Sequence, residues 1–170
     1  KLPVSNFVST TYHDTGNLRT GAAGEYKWAA NGGRGDINSP GSYNGIFDQH
    51  GLIITQRFNE LVGHAANNVG NTTSYAYEHA GIGLDFEGSW EVGCWVHAGT
   101  LQSMGLRADT SMYMHNYWSG KDCPGQIRKK GLWSATEQKV DQHIAELVEF
   151  LAGGDEKPDV PVVVYAKPDP

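Results

Sequence analysis

The sequence has almost no cysteine, few cations and no long apolar run, and each scarcity removes a class of protein. Two cysteines, Cys94 and Cys123, are too few to staple a disulfide scaffold. Thirteen Lys and Arg against nineteen Asp and Glu leave a formal net charge of −6, the wrong sign for a phosphate-binding surface, so no nucleic-acid partner is expected. No stretch approaches the ~20 apolar residues of a membrane span. Ser5, Ser9, Thr10, Thr11 and His13 break up the region where a signal-peptide core would lie. Membrane insertion is therefore not expected. Apolar residues make up only 39% of the chain, but five Trp, eight Tyr and five Phe supply large buried area per side chain. At 170 residues, the size fits one ordinary domain.

Proline marks the organisation. Four of the seven prolines fall in residues 157–170; proline fixes φ and removes a donor, so this stretch reads as an extended linker with one short strand possible at 162–165. The expected division is a globular unit over 1–153 and a Pro-rich tail over 154–170. The chain opens on Lys1 rather than Met, from which we expect a processed or excised piece of something longer.

Strands and helices mix without strict alternation. A polar strand is expected at 7–12 and a short helix at 24–30, stopping at Asn31-Gly32-Gly33. Two apolar runs at 43–48 and 52–56, joined by Gln49-His50-Gly51, predict a hairpin. Residues 74–79 alternate with the period of a strand, and 89–104 repeat Trp, Val and Leu at helical spacing. In the last helix Ser134 and Glu137 spell a capping box; Val140, Ile144, Leu147, Val148 and Leu151 share a face, and Gly153-Gly154 ends it. The fold class is α/β, a single domain with a central mixed β-sheet flanked by helices.

One segment stands out: Met114-His115-Asn116-Tyr117-Trp118-Ser119-Gly120-Lys121-Asp122-Cys123-Pro124-Gly125. Proline suits the first position of a helix, so Cys123 is expected to cap a short helix over 124–130. There it would face free N–H groups beside Lys121 and ionise easily. Thiolate binds zinc, and His115 lies eight residues earlier across a Gly-bearing turn. A third ligand is needed, and His13, at the end of the first expected strand and before Asp14-Thr15-Gly16, is well placed to line a cleft. Two His and one Cys leave a fourth tetrahedral position open, as catalytic zinc requires, and hydrolysis is the chemistry that follows.

These residues carry a resemblance. The string from His115 to Cys123-Pro124, with Trp118-Ser119-Gly120-Lys121 inside it, resembles the C-terminal zinc motif of the type-2 N-acetylmuramoyl-L-alanine amidases. Those are zinc hydrolases of phage endolysins, related to the peptidoglycan recognition proteins. Tyr12-His13-Asp14-Thr15-Gly16 is similar to the family's first-ligand motif, His-x-Thr after a strand. Tyr43-Asn44-Gly45-Ile46-Phe47-Asp48 resembles the hairpin bearing its active-site tyrosine. Gly63-His64-Ala65 with Asn67-Asn68 resembles the segment Trp-His-Ala-Gly-Asn, with Gly63 in place of Trp. Ser74-Tyr75-Ala76-Tyr77-Glu78 resembles the strand whose Glu is catalytic in some members, with tyrosines replacing aliphatics. All five occur in the family's order.

The resemblance implies one zinc per chain on His13, His115 and Cys123. It implies catalytic roles for Glu78, Tyr43 and Lys121, and substrate contacts from His64, Asn67 and Asn68, with support of a zinc ligand as the alternative for His64. The implied reaction is cleavage of the amide between N-acetylmuramic acid and L-alanine, with peptidoglycan as the partner and a monomer as the acting form. The implied setting is a phage lysin made in the host cytoplasm and released to the wall, or a secreted enzyme, with the tail leading to a wall-binding module. Two rivals stay open: a non-catalytic peptidoglycan-binding protein on the same fold, and a zinc peptidase cutting within the stem peptide. Each residue also has a plainer reading. His115 and Cys123 could be a buried histidine and an inert buried thiol, His13 an ordinary strand-end histidine, Glu78 and Lys121 solvated charges, Tyr43 hairpin packing and His64 a turn residue. His50, His79, His97 and His143 show no partner pattern, and Cys94 reads as core, with a Cys94–Cys123 disulfide as the competing possibility.

Overall fold

The computed structural model describes residues 6–30, 43–55, 63–65, 67–154, 158 and 163–165. Strands β1 (Ser9–Asp14), β2 (Gly45–Asp48), β3 (Gly51–Ile54), β4 (Ser74–His79), β5 (Met112–Met114) and β6 (Val163–Tyr165) form one sheet in the order β5-β1-β4-β2-β3-β6. β1, β2, β4 and β5 run parallel, β3 returns antiparallel from β2, and β6 pairs parallel with β3. The helices are α1 (Ala22–Ala30), α2 (Asn68–Thr73), α3 (Phe86–Ser103), α4 (Ala108–Ser111), α5 (His115–Ser119), α6 (Gly125–Lys129) and α7 (Trp133–Leu151). This is the expected α/β architecture with a mixed sheet. Among the described residues no helix is long and apolar enough to cross a membrane.

β1 is polar yet buried along nearly its whole length, so its side chains need internal partners. Each buried donor or acceptor left unmade would cost roughly 1–3 kcal/mol. The partners are there. On one face Tyr12 Oη lies 2.9 Å from His79 Nδ1, and Thr10 Oγ1 lies 2.8 Å from His97 Nδ1. On the other, Thr11 Oγ1 lies 2.6 Å from Ser74 Oγ and accepts from Trp118 Nε1 at 2.9 Å. The period of two therefore sorts the strand: Thr10 and Tyr12 face α3 and the main core, while Thr11 and His13 face the opposite side. β4 sorts likewise, with Tyr75, Tyr77 and His79 on the core side and Ser74, Ala76 and Glu78 on the other. Burial holds His79 and His97 neutral, each with its pKa lowered to about 3.

The structure moves several expected boundaries. β4 coincides with the expected strand and the hairpin is confirmed over shorter strands. β1 lies two residues later than expected, which puts His13 inside the strand, opposite Glu78. The expected stop of α1 at residues 31–33 and the hairpin's far end at Gln56 lie outside the described residues. The capping box of the last helix is not formed: α7 starts at Trp133 with Leu132 as its cap and no side-chain cap bond. Its buried stripe is the expected one in part: Val140 is buried, and Ile144 and Leu147 pack against the core. Thr136, Val140 and His143 are buried, whereas Val148 and Leu151 are 52% and 65% exposed. Polar groups take the seam because α3 supplies partners: Trp90 Nε1 donates to Thr136 Oγ1 at 3.0 Å, and Glu91 Oε1 lies 2.9 Å from His143 Nε2. His143 thus has a partner pattern that its sequence context did not show. It stacks on Trp95 with 3.8 Å between ring centroids.

α3 seats on the sheet through Gly93. A Cβ built there would lie 2.6 Å from the Phe47 ring and 2.9 Å from Tyr12 Oη, both fully buried. Gly93→Ala would gain about 1 kcal/mol of helix propensity, but we expect the clash to win, with a net loss of ~1–3 kcal/mol in chemical denaturation. An unchanged or raised midpoint would contradict this packing.

Candidate metal centre

The sheet brings the site together at the C-terminal ends of β1 and β5. Tyr12 pairs with Met114 across the two strands, so His115, the next residue, comes beside His13 with ring centroids 4.3 Å apart. The chain then makes α5 and must turn back. Gly120 closes the helix in the left-handed region at φ 71°, where an L side chain is strained. The loop is tied to itself by Asn116 N donating to Cys123 O at 2.8 Å and Asn116 Nδ2 donating to Lys121 O at 2.6 Å. Cys123 is thereby returned to His13, with Sγ 4.0 Å from His13 Nδ1. Trp118 anchors the loop from behind, against Thr11 and against Gly70 of α2.

One ligand-type atom from each of His13, His115 and Cys123 lies within 4.8 Å of the other two. Among the described residues the buried Nε2 of His115 has no hydrogen-bond partner. An orphaned imidazole nitrogen beside a second imidazole and a thiol suits a borderline-soft cation, so the residues present fit zinc. Glu78 is buried next to this group, with Oε1 4.0 Å from His13 Nδ1.

The electrostatics correct the expectation for Cys123. Pro124, not Cys123, is the cap of α6, and the first turn of that helix is held by Asp14, whose Oδ2 accepts from Gln126 N at 3.1 Å. The thiol instead faces the Asp14 N–H at 3.5 Å. Burial, with the nearby charges of Asp14 and Glu78, pushes it up to about 12 rather than down. It is therefore a thiol in the metal-free site, and a bound cation is what would favour its ionised form. Burial, then the Lys121 charge, lowers the pKa of His115. Asp14 was legible only as a turn residue; nothing in the spacing ties residue 14 to residue 126.

The other expected site residues are more dispersed. His64 lies behind His13, with Nδ1 3.2 Å from His13 Nε2, and burial chiefly lowers its pKa to about 4. Both of its ring nitrogens have protein partners. Asn67 is the N-cap of α2: Oδ1 accepts from Gly70 N at 2.7 Å, and Nδ2 donates to Trp118 O at 2.9 Å. Asn68 is exposed at the start of α2. Tyr43 is buried in a small cluster with Ala22, Ile46, Ala76 and Ala80. Lys121 is exposed on the loop. Both cysteines are free, with Cys94 in the main core cluster together with Leu101, and Trp90 packed against it.

Cys123→Ser should therefore remove most of the zinc the protein holds. Cys94→Ala should leave zinc content unchanged and cost on the order of 1–2 kcal/mol of stability. Elemental analysis of the two variants side by side checks this, and equal loss of zinc from both would refute the assignment.

The sequence matches no family model and no curated protein. Its fold does have neighbours of known structure. The PlyG catalytic domain superposes with a TM-score of 0.70 at 20% identity, covering 89% of this chain and 86% of that one. The Staphylococcus aureus hydrolase AmiA, solved in complex with its ligand, gives 0.66 at 19% identity over 91% and 82%. The N-acetylmuramoyl-L-alanine amidase LysC from Clostridium intestinale gives 0.51 at 16% over 73% and 80%. The chain has an N-acetylmuramoyl-L-alanine amidase-like fold, shared with endolysin and amidase catalytic domains.

Proposed function

We propose that the chain is a zinc-dependent peptidoglycan hydrolase that cleaves the amide between the lactyl group of N-acetylmuramic acid and L-alanine. The observation that carries this reading is the convergence of His13, His115 and Cys123 within 4.8 Å, beside a buried carboxylate, on an amidase-like fold. His13, His115 and Cys123 would hold zinc, which when bound would supply a Lewis acid for the scissile carbonyl and lower the pKa of water toward ~7.

The protein's own groups do the rest. Glu78 is fixed opposite His13 by the parallel register of β1 and β4. Its carboxylate takes the proton of the attacking water and returns it to the leaving amine of L-alanine. Lys121, exposed on the loop that carries His115 and Cys123, brings its cationic head to the negative charge that develops on the carbonyl oxygen. Tyr43 is buried with Ile46 and Ala76 on the face of the sheet that also carries Glu78. Asn67 holds α2 against α5 and so keeps the loop in place.

Mass spectrometry of digested walls tests the reaction. We expect peptides with a free L-alanine amino terminus and glycan whose lactyl carboxylate is free. A new terminus inside the stem peptide would instead make this a peptidase, and binding without any product would make it a recognition protein. Glu78→Gln keeps the shape of the base but removes its function, so it should retain zinc and lose ~10²–10⁴-fold in turnover. Turnover near that of the wild type would return Glu78 to a structural role.

A further inference from the structure

The hydrogen bonds behind His13 have a direction that can be worked out from backbone alone. His64 Nε2 lies 3.2 Å from Gly70 O and 3.2 Å from Ser74 O. Carbonyl oxygens only accept, so this nitrogen must carry a proton. None of the partners of His64 is a carboxylate, and the ring is buried, which leaves one proton and an Nδ1 lone pair. That lone pair faces His13 Nε2 at 3.2 Å. The bond forms only if His13 carries a proton on Nε2; where that is its single proton, its Nδ1 presents a lone pair on the side of Cys123 Sγ and Glu78 Oε1, each 4.0 Å away.

We propose that His64 is a positioning residue that fixes the His13 tautomer and ring orientation, so that His13 Nδ1 is preset as a metal ligand. This rests on the reading of His13 as a ligand. The chain of bonds is anchored at both ends by regular structure. Gly70 O belongs to α2 and also accepts from Ser74 N, while Ser74 O opens β4. The main chain of residues 64 and 65 is held independently, with His64 N and Ala65 N both donating to Asn71 Oδ1 at 2.9 and 2.7 Å. The imidazole therefore cannot turn over without breaking bonds to two elements. Partners of this kind that orient a ligand histidine typically contribute 10–100-fold to metal affinity, on the order of what is expected here.

Two measurements test it. In metal-free wild-type protein with ¹⁵N-labelled histidine, NMR should find the protons of both His13 and His64 on Nε2; a proton on Nδ1 of either ring would overturn the proposal. Zinc affinity, read by competition with a chromophoric chelator, should fall about 10–100-fold in His64→Leu. It should be largely recovered in His64→Gln, whose amide can accept from His13 and donate to the carbonyls. Thermal melting of the metal-free variants runs alongside. Should the Leu variant fail to fold, the tautomers in the wild type and the affinity of the Gln variant still decide. Wild-type affinity in the Leu variant, or a Gln variant as weak as Leu, overturns the role of His64 while leaving His13 a ligand. A wild-type protein that does not bind zinc overturns the ligand reading itself.

Discussion

Parallel pairing of β1 between β4 and β5 is the constraint on which the site depends. It sets His13 opposite Glu78 on one side and Tyr12 opposite Met114 on the other, so His13, Glu78 and His115, the residue after Met114, meet at one end of the sheet. Open α/β sheets collect their ligand sites at the C-terminal ends of parallel strands, and the candidate centre lies there. A slip of one residue in β1 would exchange the faces, sending His13 into the core and Tyr12 into the site. The register is secured by bonds that only these side chains can make: Tyr12 to His79, Thr10 to His97, and Thr11 to Ser74 and Trp118. The same hydroxyls and imidazoles that make β1 an unconvincing strand by composition are what fix it in place.

The site combines a rigid back with a tied loop. Behind His13 stand His64 and the carbonyls of α2 and β4. Around Cys123 the tether is Asp14, which holds the first turn of α6 through Gln126 and the thiol through its own N–H. Burial first, and then the charges of Asp14 and Glu78, raise the thiol and disfavour a bare thiolate. Yet the same two carboxylates form a negative environment that a divalent cation would neutralise. The empty-handed Nε2 of His115 points the same way.

Much of this was legible in the sequence, for identifiable reasons. β4 and the hairpin have period-two patterns and a Gly-bearing turn, which report backbone directly. The spacing of His115 and Cys123 around Gly120 reports a closed loop, and the loop is there. The failures share a cause: they depend on partners distant in sequence. Cys123 was expected to draw on the N-terminus of its own helix, but Asp14, far away in the chain, took that role. Ser134 and Glu137 spell a capping box that the start of α7 does not use. Of the expected stripe on the last helix, Val140, Ile144 and Leu147 pack on the core while Val148 and Leu151 are exposed, and the seam with α3 also takes Thr136 and His143, whose partners Trp90 and Glu91 lie on another helix. The bonds by which His64 and Asn67 hold other elements likewise run to partners that spacing does not report.

The central claim is that His13, His115 and Cys123 jointly hold one zinc ion with a position open for chemistry. X-ray absorption at the zinc edge of the loaded protein tests it most directly. The account predicts one sulfur at about 2.3 Å, two imidazole nitrogens at about 2.0–2.1 Å and one further light ligand. A first shell without sulfur, or one with only oxygen ligands, would contradict it.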